Sequence, residues 1–97
     1  MSHVLPASLR LRVITARAML VEAEASAVFL PGLQGLLGIY PGHRPLYVRL
    51  GKGSLGFRTA DGEESFGVKG GFAEVRPDQV LVMTELSEDE SDEPFQG

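Results

Sequence analysis

Glycine and proline break this chain so often that no stretch of ten residues keeps a 3.6-residue apolar period between helix caps. Twelve glycines and six prolines fall among 97 residues, which leaves room for short extended segments and for little else. A chain of this length suffices for one domain with one apolar core. Cysteine is absent, so the fold has neither disulfides nor thiolate metal ligands, and apolar packing must hold it together.

Leu9, Leu11 and Val13 alternate with Arg10 and Arg12, the period of a strand with one buried and one wet face, which predicts a strand over residues 8–15. Strands follow over 18–24 and 25–30, the latter closed by Pro31-Gly32. Leu46, Val48 and Leu50 alternate with Tyr47 and Arg49, and Gly51-Lys52-Gly53 reads as a hairpin turn. Asp61-Gly62 suits a two-residue type I′ turn. That turn would pair Ala60 with Glu63, Phe57 with Phe66, Leu55 with Val68 and Gly56 with Gly67, burying both phenylalanines on one side. Gly70-Gly71 then turns the chain, 72–76 forms a strand, Pro77-Asp78 turns it again, and 79–84 forms another. The expected fold is all-β: an antiparallel β-sandwich of about ten short strands over residues 7–86.

The formal net charge of −4 is unevenly spread. Residues 85–97 carry six acids and no base, leaving nine bases against seven acids in the body. A near-neutral body has no electrostatic footprint for nucleic acid. Residues 87–97 are expected to be an acidic, disordered tail, because they hold one large apolar residue, Phe95. No run of about 20 apolar residues is present, so membrane contact is expected only through partners. Met1-Ser2-His3-Val4 lacks a basic segment followed by an apolar one, which points to a cytoplasmic protein.

Catalytic chemistry finds little to use. His3 and His43 are the only histidines and show no metal-ligand spacing. Gly51-Lys52-Gly53-Ser54 departs from a phosphate loop, since Gly rather than Ser or Thr follows the lysine and Leu46 stands where the first glycine is needed. Neighbouring acids such as Glu63-Glu64 would point to opposite faces of a strand. No nucleophile, base and orienting group come together, so neither an enzyme nor a cofactor or metal site is expected.

The segment Leu37-Gly38-Ile39-Tyr40-Pro41-Gly42-His43-Arg44-Pro45-Leu46 strongly resembles a signature of bacterial F-type ATP synthase epsilon subunits. Val68-Lys69-Gly70-Gly71-Phe72-Ala73-Glu74-Val75 resembles a second one, and the resemblance extends over residues 7–86. It implies the family's N-terminal β-sandwich domain, a non-catalytic rotor part that grips the gamma subunit and rests on the polar loops of the membrane c-ring. It implies a partner interface at Leu36, Gly38, Ile39, Tyr40, Pro41, Gly42, His43 and Arg44, with Tyr40 and His43 nearest gamma, at the cytoplasmic face of a bacterial inner membrane. The turn suits that use: Pro41 fixes φ and Gly42 permits unusual angles, so anchors are presented with little ordering cost.

Two departures modify the expectation. Leu36 stands where family members often carry a carboxylate, so apolar packing would replace a polar c-ring contact. Residues 87–97 replace the Ala- and Lys-rich helical hairpin to which the family's inhibition and nucleotide binding belong, so neither is expected of these 97 residues. The alternative reading is a free-standing β-sandwich that presents the same turn to another protein.

Overall fold

The computed structural model describes residues 6–86 of the chain. Among these it has eight strands and no helix: β1 (Leu9–Ile14), β2 (Met19–Ala25), β3 (Ala27–Gly32), β4 (Gly35–Ile39), β5 (Leu46–Arg49), β6 (Lys52–Thr59), β7 (Gly62–Arg76) and β8 (Gln79–Leu86). The expected acidic tail lies outside the described residues.

Alternation dictates the first strand as expected. Leu9, Leu11 and Val13 are fully buried, while Arg10 and Arg12 reach across to Glu22 and Glu24 on β2. These pairs are about half exposed, and such surface pairs contribute roughly 0–1 kcal/mol each, so the buried face and not the charges fixes the strand.

The strands form one hydrogen-bonded sheet in the order β2-β1-β8-β7-β6-β3-β4, with β5 also pairing β7. The all-β class is as expected; the strand count of about ten and the antiparallel pairing throughout the sandwich are corrected. Two expected strands are one, because Gly70 and Gly71 do not turn the chain but form a bulge inside the 15-residue β7. Below the bulge β7 pairs β6; above it, β7 pairs β8 and β5. The β1–β8 pair is parallel, joining the beginning of the described chain to its end. Buried residues from both halves of the sheet, including Leu11, Val28, Leu55, Val75 and Val82, make one apolar cluster, so the halves enclose a common core.

Hydrogen bonds hold the bulge from three sides. Gly70 N–H donates to the Gly51 carbonyl (3.1 Å), Leu50 N–H donates to the Gly71 carbonyl (2.8 Å), and the buried Thr84 hydroxyl donates to the Gly70 carbonyl (2.6 Å). Both groups of Gly70 and the Gly71 carbonyl thus find partners outside the regular ladder, as a buried backbone requires. Lys52 and Gly53 open β6 instead of forming a hairpin turn, because β5 and β6 both pair β7 and not each other.

The β6–β7 hairpin lies where Asp61-Gly62 predicts a turn, but its register is displaced by two residues. Thr59 pairs with Gly62, Phe57 with Glu64, Leu55 with Phe66 and Gly56 with Ser65, so the loop is Ala60-Asp61. No described non-glycine residue has positive φ, which excludes type I′, a turn that needs it at both central positions. The positive angle falls on Gly62 alone (φ +126°), and the Thr59 hydroxyl accepts from Asp61 N–H (3.1 Å) and donates to the Gly62 carbonyl (3.3 Å). A shift of two keeps side chains on their faces, so Leu55, Phe57, Phe66 and Val68 still share one side, with Phe57 buried and Phe66 half-buried. A Cβ at position 62 would meet nothing within 4 Å. Gly62→Val is therefore expected to destabilise through backbone strain alone, by about 1–2 kcal/mol, read as a lower urea midpoint at unchanged slope.

Candidate interaction site

β4 forms one end of the sheet despite Gly35 and Gly38, because β3 supplies its partners: Val28 with Ile39, Phe29 with Gly38, Leu30 with Leu37 and Pro31 with Leu36. Consecutive strand residues point to opposite faces, so the pair Leu36-Leu37 cannot be wholly buried. Leu36 is 70% exposed and Leu37 36%. Ile39 has no exposed surface and anchors the strand to the core, so its part in the site is positional, not direct contact.

Past β4 the chain turns through Tyr40-Pro41-Gly42-His43. His43 N–H donates to the Tyr40 carbonyl (3.1 Å), Pro41 occupies the second position, and Gly42 the third with φ +91°. This is the pattern of a type II turn, which glycine permits at that position. Gly42 N–H donates to the Pro77 carbonyl (2.8 Å), fastening the turn to the β7–β8 connection. His43 Nδ1 lies 2.7 Å from the Arg44 carbonyl. A carbonyl only accepts, so Nδ1 carries the proton in this contact and neutral His43 keeps Nε2 as an acceptor.

Tyr40 is 52% exposed and still held in place. Its ring meets Phe29 edge-on, with centroids 6.3 Å apart at 87°. The Arg58 guanidinium lies 5.6 Å from the Phe29 centroid. Gly38 lies beneath this pair: a Cβ there would sit in ordinary contact with both rings, 3.4 Å from Tyr40 Cε2 and 3.6 Å from Phe29 Cε1.

The turn joins the two strands that flank an open groove of about 550 Å³, lined by Leu33, Leu36, Leu37, Leu46 and Tyr47 among others. Tyr47 is 72% exposed and Leu33 61%. A contiguous run of large apolar side chains on a small domain marks an interaction surface. Leu36 and Tyr40 stand at opposite ends of β4, roughly 13 Å apart at the rise of a strand, so the sequence-derived residues follow one edge and do not converge on one point. Leu33, Leu37, Leu46 and Tyr47 were missed by sequence reasoning; the doublets Leu36-Leu37 and Leu46-Tyr47 are the signal for the last three, while Leu33, between Gly32 and Gln34, carries none. Among the described residues no cluster of His, Cys, Asp or Glu could hold a metal.

Over residues 8–89 the chain matches the sequence model of the family described as ATP synthase, Delta/Epsilon chain, beta-sandwich domain. It belongs to that family. The ATP synthase epsilon chain of Moorella thermoacetica is 42% identical over 83 residues, which cover 84% of this chain and 62% of the relative. That of Bordetella avium is 42% identical over 82 residues, covering 84% and 58%. The chain thus spans about three-fifths of the length of the curated relatives it matches. In fold it is similar to a chain of the Euglena gracilis mitochondrial ATP synthase, with TM-score 0.78, 23% identity and coverage of 87% of this chain and 54% of that one. A chain of the Tetrahymena thermophila mitochondrial ATP synthase central stalk and c-ring gives a TM-score of 0.71 at 16% identity, covering 95% and 77%. In this delta/epsilon-type domain, each of the two signature-like segments holds a break in regular strand structure: one the Tyr40–His43 turn, the other the β7 bulge.

Proposed function

We propose that this epsilon-type domain is a non-catalytic central-stalk subunit of an F-type ATP synthase, coupling the gamma subunit to the membrane c-ring during ion-driven ATP synthesis. It would act at the cytoplasmic face of a bacterial inner membrane, held there by its partners and without a cofactor. Residues 7–86 form the docking domain in this reading, and residues 87–97 an acidic extension outside it. The observation that carries it is a hydrogen-bonded turn tethered to Pro77 and joining the two strands that flank an apolar groove, on a chain whose relatives are epsilon chains.

The geometry suits torque transmission. A rotor coupling must pass force without yielding, and of the turn's two backbone hydrogen bonds one closes it on itself and the other ties it to Pro77. Gamma would meet Tyr40 and His43, while Leu36 would pack against a c-ring loop by apolar contact. Gly38, Pro41 and Gly42 shape the surface, Ile39 anchors it, and Arg44 adds an exposed cation at its rim.

Mixing the 97-residue chain with the gamma subunit of its own complex tests the reading. Co-elution in gel filtration is expected, with no fall in ATPase rate when the chain is added to the catalytic sector. Failure to form a complex would refute the docking assignment; a several-fold fall in rate would refute a purely coupling role for these residues.

A further inference from the structure

A sheet that stops at a strand leaves a row of backbone N–H and C=O groups without partners, and such an edge invites another strand unless charge or proline guards it. The sheet order ends at β2 and at β4, and among the described residues β4 pairs only with β3. β2 is guarded by charge. Antiparallel pairing of β2 with a copy of itself about its central residue would oppose Glu22 to Glu22, like against like. β4 has no such guard: Gly35-Leu36-Leu37-Gly38-Ile39 holds neither a charge nor a proline. Across the groove, β5 already gives its Arg49 carbonyl to Leu33 N–H (2.9 Å).

β4 is also its own complement. Turned about Leu37, two antiparallel copies set Gly35 opposite Ile39, Leu36 opposite Gly38 and Leu37 opposite Leu37, so that large side chains meet small ones at four of the five positions. Residues directly opposed lie about 4.5–5.5 Å apart at Cβ. Leu36 of one copy would therefore lean over Gly38 of the other. The place of the missing Cβ there is 3.4 Å from the Tyr40 ring and 3.6 Å from the Phe29 ring, so that leucine would cover both. The apolar groove runs along the same seam and would be covered with it.

We propose that β4 is a self-pairing edge, by which two copies of the free chain join antiparallel about Leu37. Alternate residues exchange both backbone bonds, so five opposed pairs supply about four to six hydrogen bonds. A seam this short makes a weak dimer, with a dissociation constant on the order of 0.1 mM. The dimer covers Leu36 and the groove, so the free chain hides the surface by which it would dock. Only that consequence rests on the docking reading; the pairing rests on the edge itself.

Sedimentation of the 97-residue chain without gamma tests the pairing. From about 0.01 to about 1 mM, the mean mass is expected to climb from monomer towards dimer. Leu37→Lys sets two ammonium groups opposite each other and should raise the dissociation constant about tenfold or more, its urea transition showing that it folds. A second measurement does not need that variant. The chain has no cysteine, so Leu37→Cys and Leu33→Cys each carry a single thiol. Leu33 is the more exposed, 61% against 36%, so chance collision favours linkage at position 33. Pairing through β4 is expected to link position 37 faster instead, by about fivefold or more under a mild oxidant, because opposed residues lie close to disulfide reach. Mixed Leu36→Cys and Gly38→Cys chains should link to each other in preference to themselves. A chain still monomeric at about 1 mM, a dimer that folded Leu37→Lys leaves intact, or linkage at position 33 as fast as at 37 would overturn the proposal. Because gamma is absent from these measurements, their failure is distinct from a failure of the docking assignment.

Discussion

Gly71→Ala is expected to lower stability by about 3–5 kcal/mol, a large fraction of what a domain of this size possesses. Gly71 has φ +104°, and a Cβ there would lie 2.0 Å from the Met83 carbonyl oxygen and 2.9 Å from Thr84 Cα. Both obstacles are backbone of β8, which cannot swing aside like a side chain. Moving β8 would also strain the Thr84 hydroxyl bond to the Gly70 carbonyl and the parallel ladder with β1. Gly70→Ala is the control: φ is +80°, but nothing lies within 4 Å of the added Cβ, so strain of about 1–2 kcal/mol is all it should cost. Urea midpoints of the two variants measure the contrast, and equal losses would show that the bulge is not closely covered by β8.

That bulge also shows where sequence reading stops. Two adjacent glycines permit a reversal or a bulge equally well, and the choice is made by the next strand, β8, whose pairing with β7 the glycines themselves do not announce. The parallel β1–β8 pairing leaves no local mark because its two strands lie at opposite ends of the described chain. β1 was legible because its alternation is complete and its buried face decides the matter. β4 was hidden because Gly35, Gly38 and the Leu36-Leu37 doublet spoil any period of two. At the β6–β7 hairpin the position of the turn and the sharing of faces could be read. The register could not, since the glycine serves the first paired position of β7 and not the loop, and the Thr59 hydroxyl completes the turn.

The candidate site divides similarly. Tyr40, Pro41, Gly42 and His43 announce a rigid turn by composition alone, and its hydrogen bonds and the φ of Gly42 agree. Its anchorage to Pro77 and the exposure of Tyr47 depend on how distant segments meet, which no local pattern encodes.

The double change Tyr40→Ala, His43→Ala is expected to weaken binding to gamma by about 3 kcal/mol, roughly a hundredfold, if each side chain acts as an interface anchor of ordinary strength. A half-exposed aromatic side chain held rigid loses little entropy on docking, and the His43 ring is oriented by its Nδ1 contact with the Arg44 carbonyl. The fold should survive. Losing the edge-on contact between Tyr40 and Phe29 should cost about 1 kcal/mol, while the turn's own bonds come from backbone atoms that the substitutions leave in place.

Calorimetric titration of gamma with the wild-type chain and with this variant, each first shown to be folded by its urea transition, addresses the central claim most directly. The account predicts a dissociation constant raised roughly a hundredfold with the unfolding slope unchanged; equal affinities for the two chains would contradict it and remove the Tyr40–Arg44 turn from the interface.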